Sequence, residues 1–157
     1  MRALLLATLF LFHSVEGRAE VVRLAPDVAF SGVKARSLRG LKGQSVVLIV
    51  ARSQREGDFK KQVKNLREIY QEFASKQVVF IAALAEGEGP IKSDIPFVLA
   101  SNAAAVASAY GVTGKFNIVI IGRDGNIDYQ TDKVLPPERV RDVIQNAFPI
   151  QAPARKQ

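Results

Sequence analysis

The sequence predicts an α/β fold in three layers, a central mixed sheet flanked by helices, and three observations carry that prediction. Ser45–Ala51 (SVVLIVA) and Val78–Leu84 (VVFIAAL) are short, continuous apolar runs rich in β-branched residues, as strands covered on both faces are. Between them Phe59, Val63, Leu66, Ile69, Tyr70 and Phe73 recur at three- and four-residue spacing among Lys, Arg, Glu and Gln, the pattern of an amphipathic helix. An Asp124-Gly125 turn then joins the apolar run Asn117–Ile121 to Ile127–Tyr129, which is a hairpin signal. With 157 residues, 48% of them hydrophobic, the chain suffices for one domain with a substantial core and is short for two.

In chain order, Met1-Arg2 gives a positive start and Ala3–Phe12 (ALLLATLFLF) an apolar block, followed by a polar segment with small residues. That is the layout of a secretory signal peptide, and the block is too short to span a bilayer as a stable helix. Residues 1–19 are therefore set apart as a signal peptide, with cleavage after Gly17 or Ala19. Residues 20–148 form the domain and 149–157 an aperiodic, disordered tail. The expected location is outside the cytoplasm, periplasmic or extracellular, and no later apolar run approaches membrane length.

The domain opens with a turn or extended piece at Ala25-Pro26-Asp27, a short strand Val28–Phe30, a turn at Ser31-Gly32 and a second short strand Val33–Ser37. Ser37–Gly43 spaces two leucines for a single helical turn. After the central strand Ser45–Ala51 comes the long helix, about Asp58 to Ser75, with two candidate starts: the capping-box pattern Ser53-x-x-Glu56, or Asp58 as N-cap. Strand, helix and strand Val78–Leu84 make a parallel, right-handed βαβ unit. Ala85–Ile95 is a loop whose Glu86, Glu88 and Asp94 lack the spacing of a calcium loop and read as solvated carboxylates. Pro96–Leu99 is extended, and Asn102 caps a small helix Ala103–Tyr110 that Gly111 ends. Pro137 opens the last helix, whose face is Val140, Val143, Ile144 and Phe148.

Composition narrows the chemistry. The chain has no cysteine, hence no disulfide, no thiolate nucleophile and no cysteine-based metal site. Its one histidine, His13, lies in the expected signal peptide, so the mature chain lacks both side chains most used for nucleophilic and near-neutral acid–base work. No cofactor and no metal is expected. The net charge of +7 allows anionic partners. The densest group, Lys60-Lys61-Lys64-Arg67, has no alternating aromatics, so it reads as a solvated helix face and no nucleic acid is expected.

Several words resemble a known family. Ala25-Pro26-Asp27, Ser37-Leu38 and Leu41–Leu48 (LKGQSVVL) are similar to the APDF…SL…LKGKxVVL opening of peroxiredoxins and periplasmic thiol:disulfide thioredoxins. Ala109–Gly114 (AYGVTG) is similar to their AYGVxG, and Ile120–Ile127 to their strand–turn–strand ending in DRDGxI. The resemblance spans about Leu24 to Phe148 and implies the thioredoxin-like fold. It implies a redox site as well, and that site is missing. The family's attacking cysteine would fall within Ser53–Asp58, with Arg55 and Asp58 best matching the thioredoxin pair, and Phe116 stands where the family has its cis-proline. A cis bond before a non-proline residue costs ~2.5–4 kcal/mol, so a trans bond and a differently shaped loop are expected at Phe116. Phe116–Gly125 is also similar to the last hairpin of the cysteine-poor peroxiredoxin-like domain in sushi-repeat-containing extracellular proteins.

The pseudo-active-site region is thus Arg52, Ser53, Gln54, Arg55, Asp58, Lys115 and Phe116, with no catalytic residue assigned. Three functions remain open. The first is a thiol-free module that binds a protein partner or serves structurally. The second is an enzyme of thiol-independent or residual activity, for which Ser53 is the only tempting nucleophile and has no base. The third is a small-anion site in which Arg52, Arg55 and Lys115 converge on the helix N-terminus, against the neutralising Glu56 and Asp58.

Overall fold

The computed structural model describes residues 23–31, 37–75, 77–86 and 89–146. Its centre is strand β1 (Ser45–Ala51), in which every residue is buried. Successive side chains of a strand point to opposite faces, and here each face has its own core. Val47, Ile49 and Ala51 join one apolar cluster, while Val46, Leu48 and Val50 join the other.

Helix α1 (Gly57–Phe73) covers the first cluster with Phe59, Val63, Leu66, Ile69 and Phe73, and helix α3 (Pro137–Asn146) adds Val140 and Ile144. Helix α2 (Ala103–Ala109) and a 3-10 turn (Leu38–Leu41) cover the second with Val106, Leu38 and Leu41. Strand β2 (Val78–Leu84) pairs parallel with β1, and β3 (Phe97–Leu99) parallel with β2. On the other side β4 (Phe116–Ile121) pairs antiparallel with β1, and β5 (Ile127–Thr131) antiparallel with β4. The sheet order is β3-β2-β1-β4-β5. This is the expected mixed sheet between helices.

Most element boundaries agree with the sequence reading to within a residue or two, and the departures have physical causes. The expected N-terminal strand Val28–Phe30 is not a strand. Ala29 and Phe30 make only isolated bridges, to Ser37 and Ala100, while Val28 and Phe30 are buried as core side chains. Of the second expected strand, Val33–Ser37, all but Ser37 lies outside the described residues, as do the signal peptide, the tail and Phe148. Helix α1 uses neither expected cap: Glu56 stands at its N-cap without a side-chain capping bond. Ser53 Oγ instead accepts the Arg55 N–H at 3.2 Å, spending its oxygen on a turn. The expected hairpin forms, with Gly125 at φ +86 in the left-handed region that glycine enters without a Cβ clash. A Cβ at Gly122 would meet carboxylate oxygens of Asp128 at 2.7 Å and Asp124 at 2.9 Å, so these side chains would have to shift to admit a larger residue.

One polar pair locks the layers together. Gln62 is fully buried in α1; its Oε1 accepts the Leu135 N–H at 2.7 Å and its Nε2 donates to the Leu135 carbonyl at 3.2 Å. Asn65 Nδ2 donates to the same carbonyl at 2.8 Å. The loop entering α3 is thereby fixed to the middle of α1. We expect Gln62→Ala to orphan the buried Leu135 N–H and cost ~1–3 kcal/mol. Ile120→Ala, in the centre of β4, should cost ~2–4 kcal/mol through lost burial and a residual cavity. Urea unfolding at constant m-value checks both, and unchanged midpoints would contradict the packing described.

Candidate functional site: the end of the central strand

The chain leaves the sheet at Arg52, and its backbone continues the ladder one step past β1. The Arg52 N–H donates to the Lys115 carbonyl at 3.1 Å, and its carbonyl accepts the Glu86 N–H at 2.6 Å. Three segments of the candidate site are thus held at one end of the sheet. The Arg52 side chain is occupied too: Nε donates to Glu86 Oε1 at 2.7 Å, which with the Glu86 charge raises the guanidinium pKa further. Both partners are more than half exposed, at 57% and 61%, so solvent screens the pair. Gln54 reaches sideways, its Oε1 accepting the Lys92 N–H at 3.4 Å. Asp58 lies exposed in the first turn of α1.

Phe116 is no loop residue. It is the first residue of β4, paired with Ala51 and only 3% exposed, inside the cluster beneath α1. The expectation of a reshaped loop is corrected by its hydrophobicity: the ring gains more in the core than it would in a turn. All described peptide bonds are trans.

Arg52, Arg55 and Lys115 are divided between two grooves. Arg52 and Lys115 line a groove of about 280 Å³ walled by Ala103, Ala104 and Ala107 of α2. Arg55 and Gln54 line another, of about 640 Å³, on the α1 side. That second groove holds what the sequence reading missed. Lys60, Lys64 and Arg67 of α1 form its one bank with Arg55, and Lys92 of the loop before β3 faces them. Lys61, grouped with them in the sequence, is not part of it. The 60/64/67 spacing on a single helix face was the available signal; the position of Lys92 was not readable. A third cleft of about 440 Å³ lies at the other end of the sheet, beside Val46, Ile121 and Leu24, the last 73% exposed.

Among the described residues no group of His, Cys, Asp and Glu is assembled to hold a metal. No helix among them is long and apolar enough to cross a membrane. Ser53 has its oxygen in the turn bond to Arg55, with no histidine in the described residues to act as base. The chemistry on offer at this end is charge and shape.

The strongest perturbed group lies elsewhere. Tyr110, the C-cap of α2, donates its phenol to the Pro26 carbonyl at 2.7 Å, tying the N-terminal segment down. Burial first, and then the Asp27 charge, raise its pKa above the ordinary phenol value. A raised folded-state pKa favours the protonated form, so this contribution is complete below the unfolded phenol's pKa of about 10 and is lost as pH climbs beyond it. The expected outcome is an alkaline fall in melting temperature that is shallower in Tyr110→Phe than in wild type; identical slopes would remove the coupling.

No protein-family model matches the chain, and no curated protein sequence matches it. Solved structures do. A Chlorobium tepidum protein assigned as the thiol:disulfide interchange protein DsbE aligns with TM-score 0.66 at 18% identity, over 80% of this chain and 96% of that one. A thiol:disulfide interchange protein from Bacteroides sp. aligns with TM-score 0.63 at 18% identity, over 82% and 92%. Plasmodium yoelii thioredoxin peroxidase I aligns with TM-score 0.59 at 16% identity, over 87% and 98%. Identities this low establish architecture. The chain has the thioredoxin-like fold of the thiol:disulfide and redoxin proteins, in a form that contains no cysteine.

Proposed function

We propose that this protein is an exported, thiol-free thioredoxin-like domain that acts by binding a protein partner and not by redox turnover. The observation that carries the reading is the strand–helix junction itself. Where the resemblance puts the redox pair, Arg55 and Asp58 stand, and Arg55 lines a groove large enough for a partner's side chains. Thiol exchange and peroxide reduction by the route of the similar proteins both need a thiolate, which no residue of this chain supplies. Fold alone does not carry an activity over. Export is supported by the Met1–Ala19 pattern.

The test is direct. Metal-free protein, assayed with hydrogen peroxide and with a disulfide substrate in the presence of a dithiol reductant, should show no turnover above buffer. In parallel, tagged protein should retain a reproducible partner from the envelope fraction. Turnover above the control would overturn the non-catalytic reading, and an envelope fraction yielding no specific partner would overturn the binding one.

A further inference from the structure

We infer that the groove along α1 is a docking site for an acidic peptide segment of the partner, one that sets carboxylates on either side of a small apolar side chain. The inference rests on the binding reading above and assigns it a surface. Arg55, Lys60, Lys64, Arg67 and Lys92 line this groove. Arg67 approaches Asp94 at 3.5 Å, with both side chains largely exposed. The other four make no ion pair among the described residues. Cations gathered this way repel one another and create a positive potential that a partner's carboxylates relieve. Its apolar lining is Phe59 and Val63 of α1, both buried, and the half-buried Ile91 of the loop.

The layout selects the class of ligand. Residues 60, 64 and 67 lie on one face of α1 and extend over about 10 Å of helix at 1.5 Å per residue. They form a bank and do not converge on a point, which suits a row of carboxylates better than one small anion. Single-stranded nucleic acid needs exposed aromatic faces to stack on, whereas Phe59 is 2% exposed. A membrane surface would be met by protruding apolar side chains, whereas the apolar residues here lie at the bottom of a concavity. Gln54 Oε1 accepts the Lys92 N–H at 3.4 Å, a bond between the two sides of the groove.

The experiment measures fluorescence anisotropy of a labelled peptide of alternating Glu and Leu, against its Gln-for-Glu counterpart, with the purified full chain. Lys60→Glu/Lys64→Glu is compared with Lys61→Glu/Lys133→Glu, which changes net charge equally at exposed positions outside the groove. The expected result is saturable binding of the Glu peptide only, weakened by about tenfold or more in the groove variant and much less in the control, with weakening by salt. Equal melting temperatures for the two variants exclude misfolding as the cause; if the groove variant melts early, Lys92→Glu off the helix replaces it. No binding of the Glu peptide, or equal weakening in both variants, overturns the inference. Groove-dependent binding of phosphatidylglycerol vesicles or oligo-dT without binding of the Glu peptide overturns it in favour of those ligands. An envelope partner that survives Lys60→Glu/Lys64→Glu leaves the binding function in place and moves it to another surface.

Discussion

The structure depends on one constraint, that its central strand is buried on both faces. All seven residues of β1 are buried, so both sides of the sheet must be roofed with apolar surface. A sheet layer with helices on both faces is the stable answer, and the chain supplies α1 and α3 above, α2 and the 3-10 turn below. Side chains can therefore reach solvent from the ends of the strands and from the outer flanks of the covering helices. At the far end the emerging chain is apolar, around Leu24, Leu38 and Leu41; at the near end it is charged, around Arg52, Arg55 and Lys115.

The rotation of α1 about its own axis follows from the same constraint. Phe59, Val63, Leu66, Ile69 and Phe73 must face the sheet, and Gln62 is fixed by its two bonds to Leu135. A helix so anchored has no freedom to choose which residues border its flanks. Lys60, Lys64 and Arg67 consequently stand along the rim beside the loop that carries Lys92, while Lys61 turns away. Core packing thus sets where on the helix this bank of cations begins, while the exposed side chains themselves extend into solvent.

This also explains what the sequence made legible. Strands β1, β2 and β4 and helices α1 to α3 were readable because burial on one or two faces writes a period into the residues. The hairpin was readable because Asp124-Gly125 carries its own turn chemistry. The N-terminal pieces around Val28 and Phe30 were misread as strand because alternate apolar residues look alike whether they pair in a ladder or merely plug a core. The start of α1 offered two plausible caps and used neither, since Ser53 closed its own turn first. By position Phe116 reads as a loop residue, yet its ring belongs to the core and it is the first residue of β4. Convergence of charge was the hardest to see. Arg52, Arg55 and Lys115 looked like a cluster along the chain, but Arg52 is bonded to Glu86 and Lys115 lies on the α2 side, while the cations that do meet Arg55 come from residues 60, 64, 67 and 92.

The electrostatics at the junction have a consequence for how such a domain could change its role. Cysteine chemistry at a strand–helix junction draws on a positive environment, because nearby cations and helix N–H groups stabilise the thiolate. In this chain no thiol is present, and Arg55 opens onto a groove that also carries Lys60, Lys64 and Lys92. A field that stabilises a covalently attached anion stabilises a visiting carboxylate by the same Coulomb term. Exposed cations contribute more to the rate and selectivity of encounter than to final affinity, and salt screens them over a Debye length of about 8–10 Å. Ile91, half-buried at the groove, supplies the complementary part, since burial of an apolar side chain is insensitive to that screening. A groove with both features combines electrostatic selection at its rim with hydrophobic retention at its base, and neither requires a reacting atom.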